Sequence, residues 1–289
     1  MQQNKNPINW FPGHMAKARR LIKESLPDVD LVIEVIDARI PYSSRNPETG
    51  LIIGTKPAVI TLTKASLASP LATSAWLKYY TGENRRAVAT DSLNGQGIQD
   101  LRAAVADLMS EKLERYRAKG MEGRKLRAMV IGVPNVGKSS LINRLAGGKR
   151  AKVENRPGVT LAKQWIPTEI GLDLLDMPGI LWPKLGDERV AQNLAITGAI
   201  RDRILDTEEI AMVLCQRLAE CAKSDFYGRY KLTPEEADGL DGYDLFNLIG
   251  KKRGMLISGG EINSSRCADM LLEEFRSGKI GRITLELPR

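Results

Sequence analysis

The sequence predicts an α/β fold: a doubly wound parallel sheet built around a P-loop, with the motif order permuted, followed by a smaller, mostly α-helical C-terminal domain. Three observations carry this. Gly132-Val133-Pro134-Asn135-Val136-Gly137-Lys138-Ser139-Ser140 fills every position of the phosphate-binding loop pattern. Apolar β-prone runs at 31–37, 58–62, 86–89 and 126–131 alternate with stretches of helical period, the mark of a parallel sheet with ligand loops at the strand C-termini. From Pro183 onward the β-prone runs give way to helical spacing. The expected domains are therefore 1–182 and 183–289.

The P-loop fixes the chemistry most tightly. An apolar run precedes it, and Leu141, Ile142 and Leu145 follow at helical spacing, so it joins a strand to a helix. There, successive backbone N–H groups and a helix N-terminus hold phosphate without side-chain charge. Asn135, Val136, Gly137 and Ser140 belong to this cradle, with Gly137 allowing close backbone approach. Lys138 is expected to reach the β- and γ-phosphates, and Ser139 to give magnesium a hydroxyl ligand. A nucleoside triphosphate is the implied ligand.

In chain order, Trp10-Phe11-Pro12-Gly13-His14 precedes a basic amphipathic helix at 15–26 that carries Lys17, Arg19, Arg20 and Lys23. Aromatics beside a basic helix suit either RNA contact or stapling of the segment to the domain. His14 is the single histidine. The strand at 31–37 is β-branched and apolar enough for a buried parallel sheet, and leads into Ala38-Arg39-Ile40-Pro41. The second strand ends in Thr63-Lys64-Ala65-Ser66, and the third in Thr90-Asp91-Ser92 before Asn94-Gly95-Gln96-Gly97. Helices are expected at 71–80 and from Ile98 through Leu101, Val105 and Leu108, with 112–127 a solvated helix end and linker.

Beyond the P-loop, Asn155-Arg156-Pro157-Gly158-Val159-Thr160 is a polar turn in which Thr160 is a candidate second magnesium ligand. A strand at 172–176 runs into Asp176-Met177-Pro178-Gly179, the Asp-x-x-Gly pattern in which the acid holds magnesium through water and the glycine meets the γ-phosphate. In the C-terminal part, Val190 with Leu194 and Ile200 with Ile204 mark short apolar faces. Helices are expected at 210–222 and 264–275, a helix start at Thr233-Pro234-Glu235-Glu236, and a short terminal strand at 283–287.

Composition narrows the class. With 289 residues and 43% hydrophobic content the chain can bury a sizeable core. No apolar stretch approaches the roughly 20 residues of a membrane span and no apolar signal region opens the chain, so a cytoplasmic protein without membrane attachment is expected. Cys215, Cys221 and Cys267 lack paired or zinc-ligand spacing and read as reduced packing residues. The net charge of +8 is uneven: residues 1–182 hold 27 basic against 17 acidic, and the remainder 16 against 18. A basic first part points to a polyanionic partner, nucleic acid before lipid.

The base-reading candidates at 63–66 and 90–92 precede the P-loop, the reverse of an ordinary regulatory GTPase. In this permuted setting Trp10-Phe11-Pro12-Gly13-His14-Met15, Asp37-Ala38-Arg39-Ile40-Pro41, the P-loop, the turn at 155–160, Asp176-Met177-Pro178-Gly179-Ile180-Leu181-Trp182-Pro183 and Gly278-Lys279-Ile280-Gly281-Arg282-Ile283-Thr284 resemble the circularly permuted ribosome-biogenesis GTPases of the RbgA (YlqF) family. The resemblance covers nearly the whole chain. It implies a GTPase that takes GTP and Mg2+, acts late in assembly of the large ribosomal subunit precursor, touches ribosomal RNA through its helical domain and hydrolyses GTP for release. It also implies a catalytic role for His14 and a potassium ion beside Asn135. A monomer off the ribosome is expected.

Two base-loop motifs depart from the family pattern. Where it has Asn-Lys-x-Asp, this chain has Thr63-Lys64-Ala65-Ser66, and its Asn-Ser is here Asp91-Ser92. Loss of a carboxylate that takes two guanine N–H bonds costs on the order of 1.5–3 kcal/mol in base discrimination. Lys64 can still lie against the base plane, and the sequence leaves open whether Asp91 compensates. The competing readings are thus a P-loop ATPase or kinase with relaxed base choice, and a nucleotide-binding RNA scaffold with little turnover. The latter is motivated by Ile180, which stands where many GTPases place a water-orienting glutamine.

Overall fold

The computed structural model describes residues 12–121, 123–147, 164–179, 181–182, 187–200 and 206–288, with the side chains of 12–15 excepted. Six strands, β1 (Leu31–Asp37), β2 (Ala58–Thr63), β3 (Arg85–Ala89), β4 (Leu126–Gly132), β5 (Trp165–Pro167) and β6 (Leu172–Asp176), form one sheet in the order β3-β2-β1-β4-β6-β5. All neighbours are parallel except the short edge strand β5, which runs antiparallel to β6 and ends in Pro167. A proline lacks the N–H a central strand needs, so its place at the edge is the expected one.

Every residue of β1 and β2 is buried, because helices cover both faces of the sheet. The period-two alternation of β1 sends Ile33 and Val35 toward Leu101 and Val105 of α4 (Ile98–Leu108) and Leu141, Ile142 and Leu145 of α6 (Lys138–Leu145). Val32 faces the other way, with Ile22 of α1 (Pro12–Ser25) and Ile53 of α2 (Thr49–Ile53), and Ile36 packs with Trp76 and Tyr80 of α3 (Pro70–Tyr80). α5 (Ser110–Ala118) extends the fourth helix and buries none of its residues, as its charge-rich sequence requires.

The remaining helices are α7 (Glu188–Ile196), α8 (Thr207–Cys221), α9 (Lys223–Tyr230), α10 (Pro234–Ala237), α11 (Gly242–Lys252) and α12 (Ser264–Arg276). α8 is their centre: its Leu214, Cys215 and Leu218 pack with Leu245, Phe246 and Ile249 of α11 and Cys267 and Leu271 of α12. The starts follow capping chemistry. Asp206 accepts from the Glu208 and Glu209 N–H groups, and Thr233 and Glu236 form a capping box. Cys215 and Cys267 are buried, Cys221 is exposed, and all three are free thiols.

The expected terminal strand at 283–287 is not formed. Its backbone bonds go to two different loops: Ile283 N–H donates to Leu67 O at 3.0 Å and Leu285 N–H to Arg39 O at 2.8 Å. A ladder needs one continuous extended partner, and the tail spans two loop ends instead. It thereby returns the end of the chain to the sheet. Among the described residues no helix is long and apolar enough to cross a membrane.

Candidate nucleotide site

The parallel strands deliver their C-terminal ends to one edge, where β1 lies between β2, with its base-loop candidate, and β4, with the P-loop. Asp37, the last residue of β1, is the junction. Arg39 grips its carboxylate with a two-pronged contact, Nε to Oδ1 at 2.9 Å and Nη2 to Oδ2 at 2.8 Å, and Lys64 Nζ donates to the same Oδ2 at 2.9 Å. Burial disfavours the charged form of Asp37. The two cations outweigh it and hold the carboxyl well below the usual range.

Lys64 adopts a left-handed backbone conformation, φ 56°. From there its ammonium also donates to the Asn135 carbonyl at 2.7 Å, tying the base loop to the P-loop. Burial pushes the Lys64 ammonium down, against the opposing pull of Asp37. Asn135 is left-handed too, φ 59°, and its side-chain amide donates to Gly198 O at 2.7 Å, just after α7. Strained non-glycine residues cluster where surrounding contacts over-determine the backbone, and both sit at this edge. Thr63 adds a second tie, its buried hydroxyl lying 2.9 Å from Ile36 O and also reaching Val136 O.

Gly137, φ 101°, precedes α6, whose first residues are Lys138, Ser139 and Ser140. The Lys138 ammonium pairs with the carboxylate of Asp176 at the end of β6. Three residues on, Gly179 lies against the P-loop, where an added Cβ would stand 3.1 Å from Pro134 backbone atoms. A side chain there would push the two loops apart. Ser139 and Asp176 offer a hydroxyl and a carboxylate, a hard oxygen set that suits Mg2+ when substrate phosphates and water complete it. Among the described residues no group of three or more His, Cys, Asp or Glu forms a metal site by itself.

The two base-loop candidates also meet. Ala65 N–H donates to Thr90 O at 3.2 Å, and the Ser66 hydroxyl bonds the Asp91 carboxylate. Ser92 is the next residue of the same turn. Thr160 lies outside the described residues, as does Ile180. His14 falls within α1, and its side chain is likewise outside them.

Residues 127–224 match the family described as 50S ribosome-binding GTPase. The ribosome biogenesis GTPase A of Priestia megaterium is 46% identical over 282 residues, spanning 97% of each chain, and that of Bacillus pumilus is 44% identical over 97% of this chain and 99% of its own. The chain belongs to the ribosome biogenesis GTPase A family. The GNP-bound crystal structure of YlqF from T. maritima superposes on it with a TM-score of 0.63 at 28% identity, covering 94% of this chain and 99% of the other. Membership in this GTPase family accounts for the permuted order: the strands bearing the base loops come first in the chain and lie on one side of the P-loop strand, separated from it by β1, with β6 on its other side.

Two residues that shape this site, Arg39 and Arg282, lie in motifs that carry the family resemblance, yet the sequence assigns neither of them a role. Arg39 was visible only as part of a loop, and its grip on Asp37 depends on a turn in which Arg39 N–H donates to Asp37 Oδ1 at 3.0 Å. Arg282 was visible only as part of a terminal run. Its guanidinium donates to Ala65 O and Ala68 O, each at 3.2 Å, so the chain's last segment braces the base loop. Contacts between residues more than 200 positions apart leave no local signal.

Proposed function

We propose that this GTPase acts on a precursor of the large ribosomal subunit, docking in its GTP form and leaving after hydrolysis. The observation that carries the reading is the convergence of the P-loop, the Asp176–Gly179 switch and two base loops on one sheet edge, with Lys138, Asp176, Lys64 and Asp37 linked across it. Asn135, Val136, Gly137, Lys138, Ser139 and Ser140 cradle the phosphates, Gly179 meets the γ-phosphate, and Thr63, Lys64, Ala65, Ser66, Asp91 and Ser92 surround the base. Ser139 and Asp176 would hold Mg2+, with Thr160 as a further ligand, and the charge neutralisation such an ion supplies would act at the phosphates. When phosphates bind, the Lys138 ammonium exchanges its carboxylate partner for phosphate oxygens. The switch then gains a contact that depends on the γ-phosphate.

The basic excess in the first part of the chain supports an RNA-facing surface there, which the helical part extends. The test is co-sedimentation of the full chain with large-subunit precursors under GTP, a slowly hydrolysed GTP analogue, GDP and ATP. Retention under the analogue, release under GTP and GDP, and indifference to ATP are expected. Lys138→Ala and Ser139→Ala should each abolish the triphosphate dependence, and nucleotide-independent binding by the parent protein would remove the switch from the proposal.

A further inference from the structure

Guanine selection needs an acceptor pair, and position 66, two residues after Lys64, holds a serine. The hydroxyl of Ser66 bonds Oδ2 of Asp91, which belongs to the loop after the neighbouring strand. Asp91 is only 3% exposed and is rigidly held. Its Oδ1 accepts from Leu93 N–H at 2.8 Å, its own N–H donates to Gln96 O at 3.0 Å, and its carbonyl accepts from Gly95 N–H at 2.8 Å. At Gly97, φ 76°, an added Cβ would stand 1.9 Å from Ala89 O, so the loop is folded tightly onto the end of β3.

A turn of this kind is closed as well by asparagine as by aspartate, so the local backbone does not require the charge. A carboxylate has about four lone-pair positions, and the described contacts of Asp91 side-chain oxygens occupy two. Both of those donors are neutral. Among the described residues no ion pair involves Asp91, unlike Asp37, Asp30 and Asp176 at or near the same sheet. A buried carboxylate with spare acceptor positions and only neutral partners fits a ligand that brings two adjacent N–H donors. Guanine has them in N1–H and the exocyclic N2–H, whereas adenine presents an acceptor at N1. The loop also stands in the right place, since Lys64 and Thr63 fasten the partner loop directly to Asn135 and Val136 of the P-loop.

We infer that Asp91, oriented by Ser66, is the guanine-selecting residue of this chain, receiving the N1–H and N2–H of the base. The inference rests on the nucleotide-site reading given above. Ser66 is then a positioning residue whose hydroxyl holds Oδ2. A carboxylate introduced at position 66 would face Asp91 as a like charge, so Ser66→Asp weakens the pocket.

The experiment measures binding of a fluorescent N-methylanthraniloyl GDP to the full chain and its displacement by GDP, xanthosine diphosphate and ADP. Asp91→Asn keeps the acceptor that closes the turn and replaces the other oxygen by a donor. Xanthine carries a carbonyl where guanine carries the exocyclic amine, so this variant should lose GDP affinity roughly tenfold to a hundredfold and gain xanthosine diphosphate in relative terms. The ratio of the two is read within one sample, so partial unfolding leaves it unchanged. Ser66→Ala should keep the order GDP before xanthosine diphosphate. A parental ratio in Asp91→Asn, an equal loss of both nucleotides, or a reversed order in Ser66→Ala overturns the inference. Failure of the parent protein to bind the GDP probe strikes instead at the nucleotide site itself.

Discussion

The side-chain amide of Asn135, in the P-loop, donates a hydrogen bond to the backbone carbonyl of Gly198, directly after α7 in the helical part of the chain. The phosphate loop and the proposed RNA-contacting region thus share a contact, and the proposed switch at Asp176–Gly179 precedes the same helix in the sequence. Coupling between nucleotide and helical region requires contacts that differ between states. We expect spin labels at the exposed positions Leu51 and Tyr243 to report different distances with GDP and with a slowly hydrolysed GTP analogue. Identical distances in both states, on the ribosomal precursor as well as off it, would remove this coupling. Asn135 is also the proposed potassium partner beside the phosphates, so exchanging potassium for sodium should slow turnover in the parent and leave Asn135→Ala unaffected.

The Asp37, Arg39 and Lys64 cluster predicts a defined pH response. Because the folded-state carboxyl of Asp37 titrates below its ordinary value of 3.8, its contribution is present above about pH 4 and is lost as the pH falls through and below that value. Glu34 acts in the opposite sense: burial raises its carboxyl, so its contribution declines as the pH rises above 4.5. Asp37→Asn leaves a buried guanidinium and an ammonium without their shared anion, a loss of about 3–5 kcal/mol. Urea unfolding at pH 7 should show that loss, and repetition at pH 3 should show a smaller difference between variant and parent. An equal difference at both pH values would place the destabilisation elsewhere.

Arg282 offers a test of the terminal brace. Its two hydrogen bonds to Ala65 O and Ala68 O support the base loop from outside the nucleotide site, joined by Ile283 N–H on Leu67 O. Arg282→Ala should cost about 1–2 kcal/mol of stability. It should also lower affinity for GDP several-fold through the base loop, while pyrophosphate, which engages the P-loop alone, competes as before. Equal weakening of both ligands would show that the tail supports the whole domain rather than the base loop.

The legible parts of this molecule were those written in local pattern. The central strands announce themselves because β1 and β2 are buried on both faces and so are apolar throughout. The P-loop and Asp176–Gly179 are legible because phosphate binding constrains consecutive residues. What escaped was either short or distant. β5 has three residues, and α2 has five, too few for a period to show. α11 opens on Gly242, a poor helix former, and its start depends on Asp241 accepting from Asp244 N–H. The terminal segment at 283–287 has strand-like alternation, yet Ile283 and Leu285 point their side chains into the core while their N–H groups find loop carbonyls. Sequence period reports which side chains are buried, and the identity of the backbone partner is decided by the fold around them.

The final prediction concerns the attacking water. Isoleucine at 180, after the switch glycine, has no group with which to orient it, so intrinsic hydrolysis is expected to be slow and the missing function must come from another residue, a cation or the RNA partner. α1, the helix that carries His14, supports the first of these. Ala16 and Arg20 on that helix line a groove together with Gly132 of the P-loop strand and Pro178 and Leu181 of the switch, and Ile22 packs with Met177. The helix therefore runs beside Met177, Pro178 and Leu181, which flank position 180 in the sequence, and its first turn contributes the single histidine of the chain. A general base or water-positioning group contributes about 10²- to 10⁴-fold. His14→Ala should leave nucleotide affinity nearly unchanged and lower precursor-stimulated GTP turnover by roughly 10²-fold or more. Measured beside precursor binding, this separates catalysis from docking. A variant that binds the precursor normally and turns over at the parental stimulated rate would transfer the role to the RNA or to a cation, whereas weakened precursor binding with the catalytic rate preserved at saturation would make His14 an RNA contact.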